Sequence, residues 1–186
     1  MLLKSKCQNK YPIPKGYNIY KDNGKPFQLT NDLDGDGIND DVIVYADNSE
    51  EDKIVAIYLS TVYNATKAYY SFPLQSNFYN LEFQKNVLTI SCCNGLGRLC
   101  TTLKFKFYDK LKNMRLIGYE EENSGNAAHD GAYLKSVNLL TNKYEISGGR
   151  RKNKISKTIS LPAITLENLD EDQLASLEEI GSDYLN

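Results

Sequence analysis

A mainly β domain, built as an antiparallel meander and closed by one C-terminal helix, is what this 186-residue sequence predicts. Three observations predict it. Runs rich in Val, Ile, Tyr, Phe and Thr recur along the chain and suit a pleated surface. Turn pairs such as Asn23-Gly24, Asp47-Asn48, Asn94-Gly95, Thr141-Asn142 and Gly148-Gly149 separate them. Helical periodicity is confined to the last twenty or so residues. Such short strands joined by turns can be arranged as a partial propeller or as a compact barrel.

In chain order, residues 1–24 read as irregular, because Pro12, Pro14 and Gly16 interrupt any regular element. A single domain is expected over 25–186. Strand candidates follow at 26–30, 41–46, 53–60, 67–72, 80–84, 87–92, 101–108, 114–121, 133–138, 143–147 and 155–160. Leu103-Lys104-Phe105-Lys106-Phe107 alternates cleanly, which places Leu103, Phe105 and Phe107 on one face of a half-buried strand. Ile54-Val55-Ala56-Ile57-Tyr58-Leu59 is apolar throughout and predicts a central strand buried on both faces. The helix is expected at about 170–180. Asp170 and Gln173 form a capping-box-like start, and Leu174, Leu177 and Ile180 share a face. Gly181 is placed to end it. Acidic Asp170, Glu171 and Asp172 favour the positive end of the helix dipole. A four-bladed propeller would need about 160 residues at roughly 40 per blade, and the chain carries no internal repeat, so a complete propeller ranks second.

The segment with the most readable chemistry is Asp32-Leu33-Asp34-Gly35-Asp36-Gly37-Ile38-Asn39-Asp40, followed at once by Asp41-Val42-Ile43-Val44-Tyr45. Carboxylates at alternate positions make an oxygen cage for a hard cation. Ca2+ fits best, since it takes six to eight oxygens in a flexible shell. Asp32, Asp34 and Asp36 would give side-chain oxygens, Ile38 its backbone carbonyl, and Asp40 a carboxylate directly or through water. Gly37 falls at the sixth position, where such loops turn sharply. An EF-hand would need Glu at position twelve and a following helix; Ile43 stands there, in a β-branched run. The alternative is an acidic turn of ordinary turn residues that binds nothing. Against it, five aspartates fall within residues 32–41 and repel one another unless a cation neutralises them.

The loop resembles the calcium loop of FG-GAP and VCBS-type repeats, found in integrin-α-like propellers and in many bacterial extracellular proteins. The resemblance covers roughly residues 26–60. It places Asp32, Asp34, Asp36, Ile38 and Asp40 on the motif's ligand positions and implies a structural calcium ion. This chain departs from the family in having one such loop and not several. The runs Leu116-Ile117-Gly118-Tyr119 and 136–143 also look like those of bacterial secreted or lipoprotein-like proteins with a single loop of this kind.

Composition is that of an ordinary globule, 41% hydrophobic and 25% charged, with 14 tyrosines, one histidine and no tryptophan. The tyrosines suit half-buried strand positions first and a binding surface second. The net charge of −2 conceals segregation. Residues 31–52 carry nine acids and no base, residues 165–186 seven acids and no base, while Arg150, Arg151, Lys152, Lys154 and Lys157 cluster. A nucleic-acid role is not expected, because the basic run lacks a recognition helix and the acidic segments would repel a polyanion. No apolar run is long enough for a transmembrane helix. Residues 1–7 read as too short and too charged for a signal peptide, and Lys6 before Cys7 does not fit a lipoprotein cleavage box. Calcium is plentiful outside the cytosol, so an extracytoplasmic location (secreted, periplasmic or surface) is expected.

Cys92, Cys93 and Cys100 flank a predicted turn, and a hairpin disulfide from Cys100 to Cys93 or to Cys92 suits an exported protein. Cys92 is in phase with Leu88 and Ile90 and should point inward, leaving Cys93 freer to pair. Adjacent cysteines with one distant histidine do not supply zinc geometry. His129, beside Asp130 in a polar loop, reads as an exposed loop histidine before it reads as an acid or base. No catalytic residue is assigned. The expected function is therefore a calcium-stabilised binding module for a protein or glycan. The alternatives are a hydrolase with structural calcium, favoured by a deep pocket around His129, and an inhibitor or immunity protein.

Overall fold

The structure is a computed structural model. It describes residues 11–59, 69–70, 74–75, 78–93, 98–149 and 154–185. Cys7, the Asn94-Gly95 turn and the Arg150-Arg151-Lys152 run lie outside the described residues. The fold is mainly β, with antiparallel pairing throughout and one C-terminal helix. No closed barrel forms among the described residues, so the compact-barrel alternative does not hold.

The first sheet has β5 (Asp40–Asp47) and β6 (Asp52–Tyr58) at its centre. One edge of β5 is covered in two halves. β1 (Tyr17–Ile19) pairs with its C-terminal end, and β4 (Gln28–Asn31) with its N-terminal end. Between them the chain leaves as the small hairpin of β2 (Lys21–Asp22) and β3 (Lys25–Pro26). Asn23 and Gly24 both have positive φ, 50° and 76°, the pattern of a two-residue primed turn. The segment expected to be irregular over 1–24 thus contains strand from Tyr17 onward. On the other edge of β6 lie β7 (Tyr69–Tyr70) and β8 (Leu74–Gln75).

The second sheet is an unbroken meander in chain order: β9 (Phe78–Gln84), β10 (Val87–Cys93), β11 (Leu99–Tyr108), β12 (Asn113–Asn123), β13 (Tyr133–Asn138), β14 (Lys143–Gly148) and β15 (Ile155–Thr158). Seven strands make it wider than the four-stranded blade of a propeller. Inward faces of both sheets merge in one core. Val42, Val44, Val55 and Ile57 come from the first sheet, and Leu88, Ile90, Leu103, Phe105, Leu116 and Val137 from the second. The expected central strand is borne out, since residues 54–59 are all buried. Helix α1 (Glu171–Glu179) matches the expected span and seats Leu177, fully buried, on this core. Asp170 caps it by accepting from the Gln173 backbone N–H at 2.9 Å.

A buried polar knot fastens α1 to the second sheet. Lys135 is 0% exposed. Its Nζ lies 2.8 Å from Glu121 Oε2 and donates to the Glu178 carbonyl at 2.7 Å, in the last turn of α1. That carbonyl has no partner inside the helix, and a cation there also suits the helix dipole. Tyr119 donates to Glu121 Oε2 at 2.6 Å, and Tyr133 donates to Oε1. Burial raises the energy of the Glu121 carboxylate. The hydrogen bonds from Lys135, Tyr119 and Tyr133 outweigh this and hold its carboxyl below the usual range. A carboxyl with a lowered folded pKa stabilises the fold above its unfolded pKa, about 4.3, and loses that contribution as pH falls through the folded value. Melting temperature measured against pH should therefore drop below about pH 4. Glu121→Gln should be less stable at neutral pH but show a flatter acid limb. Parallel acid limbs in the two proteins would contradict this arrangement.

Candidate metal loop

The loop is the hairpin connection between β4 and β5, closed by the Asn31–Asp40 pair. Leu33, 2% exposed, sinks into the core and pins the loop from within. Asp40 is 1% exposed and accepts from the Leu33 N–H at 2.8 Å. Gly35 and Gly37 stand at φ 83° and 85°, a region side chains avoid, so the two tight turns need glycine there. These turns aim N–H groups at the aspartates. Gly35 and Gly37 donate to the two oxygens of Asp32 at 2.7 and 3.0 Å. The Asp36 N–H donates to Asp34 at 3.1 Å.

Among the described residues, Asp32, Asp34 and Asp40 each bring a carboxylate oxygen within 4.8 Å of the others. Oxygens that share a calcium ion at about 2.4 Å can lie no farther apart than about 4.8 Å, so the three fit one ion. A carboxylate oxygen has two lone pairs, so one that accepts an N–H can still face a cation. Two like charges at this spacing repel by roughly 3 kcal/mol at an effective dielectric near 20, and three such pairs make an uncompensated loop costly. Asp36, expected beside them, is not one of the three. Its carboxylate accepts from the Ile38 N–H at 2.8 Å. Ile38 is exposed at 60%, with its side chain away from the core.

Asp41 falls outside the ligand spacing of the loop. It lies on the opposite face of β5 from Asp40, accepting from Tyr11 and, at 2.7 Å, from Thr30. A signal existed: in a strand, an acid next to a buried acid must face the other way.

The cysteines pair as Cys93–Cys100, directly opposite each other in the β10–β11 ladder. Among the described residues Cys92 is the free thiol, and burial pushes its pKa up to about 11. The phase of Leu88 and Ile90 predicts that Cys92 faces inward and that Cys93 points the other way and is freer to pair. Along β10 the register with β11 is unbroken from Leu88 to Cys93, so Cys92 keeps the phase of Leu88 and Ile90, and Cys93, buried at 6% exposure, is the one that pairs with Cys100. His129 is exposed, with φ 61°, and its Nδ1 lies 3.3 Å from the Ser124 carbonyl oxygen. It lines a shallow cavity of about 400 Å³ with Glu122, Ser124 and Tyr133. The loop carboxylates do not line that cavity.

Comparison with protein-family models, with curated proteins and with solved structures finds no match. No helix among the described residues is long and apolar enough to cross a membrane.

Proposed function

We propose that this chain is a calcium-stabilised, extracytoplasmic domain that works by binding a protein or a glycan. The observation that carries the reading is the gathering of Asp32, Asp34 and Asp40 within the reach of one ion. Calcium is favoured over magnesium because the loop offers several oxygens in a flexible frame, where magnesium demands a strict octahedron and retains water. The Cys93–Cys100 disulfide fits an oxidising compartment, where calcium is also plentiful. In this reading the ion is a brace. It cancels the repulsion among the aspartates and fixes the β4–β5 turn, and through Leu33 it steadies the shared core.

Calorimetry on metal-stripped protein should find one calcium site, and Asp34→Ala should abolish it. At calcium one hundred times the dissociation constant, the fold should gain about 2.7 kcal/mol by mass action. For a chain of this size that raises the melting temperature by roughly 5–10 °C. Wild-type protein that gives no heat and no thermal shift at millimolar calcium would sink the reading.

A further inference from the structure

The outer face of the first sheet carries its own apolar cluster: Ile43, Tyr45, Ile54, Ala56 and Tyr58. Among the described residues its cover comes from one stretch of chain, in which Tyr11, Tyr17 and Ile19 pack on the cluster. The stretch is held at both ends. At its C-terminal end β1 pairs with β5, and the Tyr20 N–H continues the pairing to the Val44 carbonyl at 2.9 Å. At its N-terminal end the Tyr11 ring stacks on Tyr58, with centroids 3.8 Å apart and planes 16° from parallel. Tyr58 also donates to the Pro12 carbonyl at 3.3 Å. The bond that ties this end to the metal loop is Tyr11 to Asp41, a charge-assisted hydrogen bond across thirty residues.

Asp41 follows Asp40 directly. One peptide unit therefore presents a carboxylate to the loop on the inner face and another to the covering segment on the outer face. The geometry points to residues 11–19 as a latch whose closure is coupled, through Asp41, to calcium in the neighbouring loop. The inference rests on the calcium reading above and adds a regulated element to it. Without the cation, the loop aspartates repel one another, and Asp41 contributes to the same negative field. Strain of this kind is relieved by parting the Asn31–Asp40 and Thr30–Asp41 end of the β4–β5 ladder, which is where Asp41 is oriented by Thr30. Asp41 then no longer holds Tyr11, and the cover loosens from the tyrosine face. Calcium draws that end of the ladder shut and restores the acceptor. Linkage makes the coupling reciprocal, so a docked latch raises calcium affinity by the same factor.

Hydrogen exchange on the full chain tests this, reading amides 11–20 against those of β12, with calcium or with chelator, beside calorimetry. In wild type, calcium should slow exchange at 11–20 by about tenfold more than at β12, within the usual coupling range. Tyr11→Phe removes one oxygen and keeps the ring, so it should fold. It should still bind one calcium ion, about fivefold more weakly, while 11–20 exchange quickly with or without the ion. Asp41→Ala should behave alike. If wild type binds calcium but 11–20 follow β12, the latch is overturned and the calcium reading stands. If Tyr11→Phe responds as wild type does, the coupling through Asp41 is likewise overturned. If calorimetry shows no calcium site, both fall together.

Discussion

Lys135→Met is expected to destabilise the protein by about 3–5 kcal/mol, because it leaves Glu121 as a buried charge without its counter-ion. Total stability of a domain is only about 5–15 kcal/mol, so the melting temperature should fall on the order of 10 °C. Three losses act together. Glu121 keeps the Tyr119 and Tyr133 hydroxyls but loses its cation. The Glu178 carbonyl loses its donor. Tyr119 loses the ammonium held 5.4 Å from its ring centre. Methionine matches the length of the lysine stem, so packing alone does not account for the loss. The double substitution Lys135→Met with Glu121→Leu should recover part of the stability, since it removes the orphaned charge. Recovery stays partial because both tyrosine hydroxyls then lack their acceptor. Chemical denaturation of the four proteins measures the cycle. A single variant as stable as wild type would contradict the buried ion pair.

Gly148→Ala should cost about 3 kcal/mol, from left-handed backbone strain of roughly 1–2 kcal/mol together with overpacking of roughly 1–3 kcal/mol. Gly148 closes β14 at φ 87°, and a Cβ there would stand 2.4 Å from the Ala132 carbonyl oxygen and 3.0 Å from the Tyr133 Cα. Both obstacles are backbone, so no side chain can swing aside. The same carbonyl accepts from the Gly149 N–H at 2.7 Å, and a shift that relieved the clash would break that bond. Gly131→Ala makes the control. Its φ is 77°, yet a Cβ there meets nothing within 4 Å, so it should show the strain without the clash. Equal midpoints for the two variants would mean that close approach contributes nothing.

Much of the second sheet was legible in the sequence. Leu103 and Phe105 alternate with Lys104 and Lys106, and the structure buries the first pair as the alternation requires. The helix was legible because Asp170, Leu177 and Gly181 mark its start, face and end independently. β1 was not, since three residues behind Pro14 and Gly16 carry no local strand signal and gain their conformation by pairing with β5. The knot was half legible. Lys135 falls in phase with Val137 and Tyr133, on the inward face of β13. A lysine on that face calls for a buried partner, but which acid meets it depends on strand register. In the loop, residue type and spacing marked the aspartates, whereas the separation of Asp36 from the other three follows from turn dihedrals that spacing does not encode. The choice of Cys93 over Cys92 was legible from the phase of Leu88 and Ile90, whereas the facing of Cys93 and Cys100 depends on the β10–β11 register.

The short excursion over Lys21–Pro26 sits between two strands that share one edge of β5. At its base the Phe27 N–H donates to the Tyr20 carbonyl and the Val44 N–H to the Phe27 carbonyl, so the edge is continuous across the gap. Every residue between those anchors is exposed. Length added at the Asn23-Gly24 turn would be carried outward from this closed base, at an entropic cost that grows only slowly with the number of residues. The first sheet therefore has a built-in port, where the chain can be extended or a reporter grafted without touching the core, the aspartate loop or the tyrosine face.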